Sequence, residues 1–334
     1  MKKYIFSFVA MALLAGFYFS TMSLKLSPPP PVIDHFQNDN LSVITVDKAA
    51  LSKSPAVAKI AGQLGISSQR LAGSEVNYQN DKDPSEYFIT DGTKGRISFS
   101  RSTKNYEGDF KPQLLDVKQA QKNAEQFLAT NDLNPKNTAE MQLIHAGGIK
   151  ASSADNGQVI DKIQTFTYGR VIDGVPVSGS GSRIIVHVGN KGEVLGVSKS
   201  WKEYTASPTA KRKVLATELR TQADAEKEFG KIVNLNFGQG ASPKIKRIQK
   251  MYFDGGGNFI QPAYFFETIV SVANEKGIKE DQPFLGVVPM LKNAPEAINP
   301  DPATVRTIAK QVRSGQPTQN NNRTAKPDND ESGR

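Results

Sequence analysis

The stretch Gly174–Val197, GVPVSGSGSRIIVHVGNKGEVLGV, constrains this chain more than any other. Arg183, Ile185 and His187 alternate with Ile184, Val186 and Val188, which is the period of a strand with two distinct faces. A Gly/Ser turn precedes that strand and Gly189-Asn190-Lys191-Gly192 follows it. Asn and Gly tolerate positive φ, so both flanks read as tight turns. The segment must therefore build a β meander.

Helix signals bracket the meander. Asp116 and Gln119 form a capping-box pattern ahead of Val117, Ala120, Ala124, Phe127 and Leu128 on one face, and Asn131 to Pro135 stop the run. Strands are expected at Met141–Ala146, Lys162–Val171, Arg183–Val188 and Glu193–Tyr204. The order then recurs. Thr221 and Asp224 open a helix ending at Gly230, with Ala225, Phe229 and Ile232 as its apolar side. Strands follow at Lys246–Phe253, Ala263–Val272 and Phe284–Leu291, the first two joined by a turn at Asp254–Asn258. Helix followed by antiparallel strands, twice in series, predicts an α+β fold of two consecutive helix-on-sheet units. Upstream, Pro55, Val57, Ile60, Leu64 and Gly65 predict a short helix capped by Ser54, and EYFITDGTKGRISFSRS predicts a hairpin.

The ends differ from this centre. Lys2 and Lys3 precede the uncharged run Tyr4–Leu24, the pattern of an export segment. Cleavage near Thr21-Met22-Ser23 would release the chain; retention would leave a single membrane anchor, since the run is about long enough to span a bilayer. Either outcome places the remainder outside the cytoplasm, secreted, periplasmic or anchored to the outer face of the cytoplasmic membrane. Four prolines, Pro28 to Pro31, then form a stiff spacer. From about Asn293 the composition turns to Pro, Asn, Asp, Gln and Lys. A short helix at Thr304–Arg313 and disorder elsewhere are expected there.

Chemistry-bearing residues are sparse. The chain has no cysteine, which excludes disulfides, thiolate nucleophiles and Cys-based metal sites. Its histidines, His35, His145 and His187, are not in an H-E-x-x-H arrangement, so no metal site is assigned. Ser178–Arg183 lacks the strand-turn-helix setting of a nucleophile elbow and reads as a turn. Gly255–Gly257 lacks a following Lys-Ser/Thr and a helix N-terminus, so it reads as a hairpin turn rather than a phosphate loop. Asp81, Asp83 and Glu86 are too few for calcium. No catalytic or cofactor-binding residue is assigned, and a non-enzymatic binding module is the expectation. The net charge of +9 suits an anionic cell-surface polymer. The basic residues are scattered, with Lys244–Lys250 the densest cluster, and no basic-aromatic motif accompanies them, so nucleic acid is not expected.

FTYGRVIDGVPVSGSGSRIIVHVGNKGEVLGVSKSW resembles the propeptides of secreted thermolysin-like and fungalysin-like metalloproteases. Gly174-Val175-Pro176-Val177, Ile184–Val188, Asn190–Gly192 and Val194–Ser198 follow that family's pattern in order. The helix DVKQAQKNAEQFLATNDL sits where the family places one, and Pro262–Val270 resembles the aromatic strand of the partner domain called PepSY. The likeness covers Asp116 to Leu291 and implies an FTP-like domain at 67–205 and a PepSY-like domain at 206–293, both cystatin/PepSY-like in fold. Around them lie the signal peptide or anchor at 1–24, the Pro-rich spacer and short helix at 25–66 and a mostly disordered tail at 294–334. No zinc-binding helix follows, so the chain resembles a stand-alone propeptide. Such propeptides inhibit the protease and assist its folding; the resemblance implies either action in trans, on an extracytoplasmic protease. The alternative is a membrane-anchored extracytoplasmic regulator or envelope binding module, touching the membrane only through residues 4–24. Candidate protein-binding residues are Gly174, Val175, Pro176, Val177, Arg183, His187 and Trp201.

Overall fold

The computed structural model describes residues 30–36, 41–47, 55–66, 75–92, 94–152, 158–205, 209–239, 241–273 and 279–298. The export segment, the Ser54 cap, the Thr304–Arg313 helix and the tail beyond 298 lie outside the described residues. Backbone contacts divide the chain into Met1–Pro31 and Val32–Arg334. Every element below belongs to the second unit.

The fold is α+β, with helices packed against a mixed sheet. The strands are β1 (Val32–Asp34), β2 (Ser42–Thr45), β3 (Glu75–Asn80), β4 (Asp83–Asp91), β5 (Arg96–Ser100), β6 (Met141–Ser152), β7 (Val159–Ile172), β8 (Val175–Ser178), β9 (Ser182–Val188), β10 (Val194–Trp201), β11 (Lys211–Lys213), β12 (Ser242–Asp254), β13 (Phe259–Ala273) and β14 (Lys279–Pro289). The longer helices are α1 (Pro55–Gln63), α2 (Val117–Thr130) and α3 (Gln222–Phe237). Hydrogen bonding follows the path β11-β2-β13-β12-β8-β7-β9-β10-β5-β4-β3, with β1 on β12, β14 on β13 and β6 on β7. Among the described residues only the β1–β12 and β8–β12 pairs are parallel.

Local chemistry explains the helices. Asp116 accepts a hydrogen bond from the Gln119 N–H at 3.0 Å, an N-cap that starts α2. Ala120, Ala124 and Leu128 are buried, whereas Val117, expected on the same face, is 54% exposed in the first turn. Thr221 caps α3 by accepting from Asp224 N–H at 3.1 Å. This helix does not stop at Gly230, as expected, but runs to Phe237 and ends at Gly238, where φ is +92°. An interior glycine costs about 1 kcal/mol. Burial of Ile232 and Val233 one turn later, on the face that carries Ala225 and Phe229, outweighs that cost.

Two hydrophobic cores form. One joins α1 and α2 to the inward residues of β4, β5, β7, β9 and β10, among them Phe88, Phe99, Phe166, Ile184 and Val197. The other joins α3 to β2, β12, β13 and β14, where Phe229 stacks on Phe266 with centroids 4.6 Å apart. The stretch read as a spacer contributes two strands to this second region. Val32 pairs with Ile248 in parallel, and Ile44, fully buried, pairs with Ile260. Isolated dipeptide signals could not reveal these strands, because their partners lie some two hundred residues away in the chain.

Candidate functional site

The GVPV motif is where the sheet becomes continuous. In β8, Val177 pairs with Arg170 of β7 on one side and Tyr252 of β12 on the other. Val175 and Val177 are buried in the α3 core. The Gly/Ser turn then wraps the Asp254 turn. Gly181 N–H donates to the Asp254 carbonyl at 3.0 Å, and a Cβ on Gly179 would lie 2.1 Å from that oxygen. The glycines are there because backbone meets backbone with no room between.

A buried polar chain runs beneath this seam. Ser182 Oγ donates to Asp254 Oδ2 at 2.6 Å and lies 3.4 Å from Arg170 Nη1. Arg170 Nε donates to Glu140 Oε2 at 2.9 Å, and the Tyr204 hydroxyl donates to the same carboxylate. The Arg170 guanidinium sits 4.2 Å above the Trp201 ring centroid. Burial, then the bond to Glu140, pushes the Tyr204 hydroxyl well above the usual phenol range. Ser182 beside Asp254 superficially suggests a nucleophile, but Ser182 is 2% exposed and no histidine completes the pair. The geometry therefore holds the two sheet regions together rather than presenting reactive atoms.

Of the residues singled out from sequence, Val175, Val177 and Trp201 are thus buried, and a partner cannot touch them without opening the fold. Gly174 occupies the β7–β8 turn with φ +81°. Pro176 is half-buried and Arg183 is exposed. His187 is half-buried with Nδ1 3.0 Å from Thr165 Oγ1, and burial lowers its pKa. His35 lies 3.3 Å from Gln249 Oε1, and His145 sits on β6 just past a bulge. Among the described residues no group of three or more His, Asp or Glu could hold a metal ion.

The accessible feature that sequence reasoning missed is the outer edge of β6, a strand expected at Met141–Ala146 that runs on to Ser152. Among the described residues its twelve-residue strand pairs with β7 alone, so its outer edge is free. Leu143, Ile144 and Ile149 are exposed along it, Ile144 by 57%. A cleft of about 440 Å³ adjoins the strand, lined by Leu114, Val117, Ala146, Gly148, Gln164 and Phe166 among others. Gln164 Nε2 donates to the Leu115 carbonyl at 2.9 Å, while its Oε1 is buried without a hydrogen-bond partner. The sequence signal was present: MQLIHAGGIKAS holds no proline and one lysine.

No family model matches the chain, and no curated protein matches it. Its backbone is similar to that of an uncharacterized protein from Eubacterium rectale ATCC 33656, with a TM-score of 0.42 and 8% identity, over 78% of this chain and 86% of that one. No helix among the described residues is long and apolar enough to cross a membrane.

Proposed function

We propose that this chain is a non-catalytic exported binding protein that accepts an extended segment of its partner along β6. In this reading it acts in trans as a propeptide-like inhibitor or folding chaperone of an extracytoplasmic metalloprotease. The observation that carries it is the unprotected edge. Proteins blunt free edges with prolines and charges. The other long edge, β14, carries Pro283, Pro289, Glu280 and Asp281. β6 carries only Lys150, which is paired with Asp161 at 3.0 Å. Backbone groups of β6 would supply affinity by strand addition, and the adjoining cleft would take alternate side chains.

Two further points support the reading. The propeptide-like motifs at Gly174–Ser198 and Pro262–Val270 fall in strands of the two helix-covered regions, which we read as FTP-like and PepSY-like units. The cleft beside β6 is walled in part by Leu114, Val117 and Phe166, apolar surface that a docked segment would cover.

The test is titration of the full-length chain against a thermolysin-like protease at fixed enzyme, followed by intact-mass analysis and amide hydrogen exchange. Saturable inhibition with the chain intact and new protection confined to Met141–Ser152 supports the proposal. Digestion of the chain, or inhibition without protection of β6, counts against it.

A further inference from the structure

The face of β5, β10 and β9 turned away from α1 and α2 carries a second site. In the ladder, Ser200 pairs with Arg96 on one side and Arg183 on the other. Adjacent strands lie about 4.8 Å apart, so the two arginine Cα atoms are roughly 10 Å apart across one serine. Both side chains, with Lys94, line a cleft of about 290 Å³, whose remaining wall is Ser180, Ile185, Ser198, Ser200, Gly255 and Gly256.

The charges in this cleft are unbalanced. Arg101, Arg170, Arg212 and Arg247 form ion pairs; among the described residues Arg96 and Arg183 form none. Asp91 is directly opposite Arg96 in the ladder, but it is 3.3 Å from Lys94 Nζ and accepts the Lys94 N–H at 3.1 Å. Asp254, behind the glycine rim, accepts from Ser182 and from Gly256 N–H at 2.8 Å. Three cations therefore line a cleft that no carboxylate lines, and Asp91, opposite Arg96 in the ladder, is buried and already engaged by Lys94. Serines at 198 and 200 keep the floor low, so that an anion can sit between the guanidinium forks.

We propose that this cleft binds a phosphate group, held by Arg96 and Arg183 with Lys94 at the rim. Planar guanidinium forks match phosphate oxygens in pairs, and charge-assisted bonds are the strong ones. The site is separate from the β6 edge and does not depend on the protease reading. Its ligand is either a free phosphate or one phosphodiester of an anionic polymer.

Calorimetric titration of the full-length chain at physiological ionic strength tests this, with inorganic phosphate in one arm and a synthetic glycerol phosphodiester oligomer in the other. Saturable binding is expected in at least one arm. R96Q and R183Q should each weaken it roughly tenfold or more, while K118Q, an exposed lysine on α2, leaves it unchanged. Tighter binding of the oligomer assigns the site to a polymer; binding of phosphate alone assigns it to a small anion. Absence of saturation in both arms, or equal losses in K118Q and the arginine variants, overturns the proposal. If circular dichroism shows R183Q misfolded, R96Q on the exposed β5 position carries the test.

Discussion

Gly181 and Asp254 meet so closely that a Cβ on Gly181 would fall 1.9 Å from Asp254 Oδ1. Seventy-three positions separate them in the numbering, yet this contact, with Ser182 bonded to the same carboxylate, is where the two sheet regions are joined.

Gly181→Ala should therefore destabilise the fold by about 3 kcal/mol, the upper range for forcing atoms into a packed interior. Gly174→Ala provides the contrast. Nothing lies within 4 Å of its would-be Cβ, and only its φ of +81° is unfavourable. Its cost should be about 1 kcal/mol. Urea unfolding midpoints decide; equal losses would show that close approach is not why Gly181 is glycine.

Arg170→Met should cost about 3–5 kcal/mol, because it strands the Glu140 carboxylate away from water. The Arg170 side chain is 1% exposed and that of Glu140 9%. Glu140→Gln combined with Arg170→Met should lose less than the single change, since the carboxylate nearest the lost guanidinium is then neutral, leaving the more exposed Glu203 at 4.0 Å as the remaining ion partner of Arg170. A double-mutant cycle by thermal unfolding measures the difference, and a single change no worse than the double would refute the account.

Lys199 gives a pH signature. Burial lowers its pKa from 10.5 to about 8; Arg170 adds to the shift and Glu203 opposes it. Above pH 8 the native state gives up this proton while the unfolded chain keeps it until about 10.5, so the unfolded state binds more protons and stability rises with pH in that window. Below pH 8 the half-buried ammonium is charged in both states and its desolvation, offset in part by the bond to the Asn134 carbonyl at 3.4 Å, weighs on the native state. Lys199→Met should stabilise the protein at pH 7 by on the order of 2 kcal/mol, and the gain should shrink as pH rises beyond 8. Tyr168, Tyr204 and Tyr252, whose hydroxyls burial pushes up, act oppositely above pH 10, so the comparison belongs between pH 7 and 9.5. A variant difference independent of pH would sink the assignment.

Ile144→Lys and Ile149→Lys place charge on the β6 edge at positions 57% and 50% exposed. Folding stability should change by no more than about 0.5 kcal/mol. Inhibition of a thermolysin-like protease, titrated at fixed enzyme, should fall. Unchanged inhibition would move the docking surface elsewhere.

Much of the secondary structure was legible because its causes are local. The Asp116 and Thr221 caps, the β9 alternation and the Asp254–Asn258 turn each depend on residues within a few positions. The misreadings have the opposite character. β1 and β2 lie in a stretch whose composition reads as spacer, because strand identity there comes from β12 and β13. For Trp201 the sequence leaves core and contact both open, and the stacking of Arg170 over its ring shows why it is buried. The Gly230 stop was a sound local signal overruled by packing of the following turn.

The sequence by itself determined that this chain is α+β, that its glycine-rich meander has tight turns, and that its apolar alternation separates two faces of a sheet. Those properties follow from dihedral preference and periodicity, which act over a few residues. Tertiary structure alone decided that the meander seals against Asp254, that β6 is left without an outer partner among the described residues, and that Arg96 and Arg183 flank one serine. Each depends on which distant strands become neighbours, and that choice is made by the burial of whole faces rather than by any local motif.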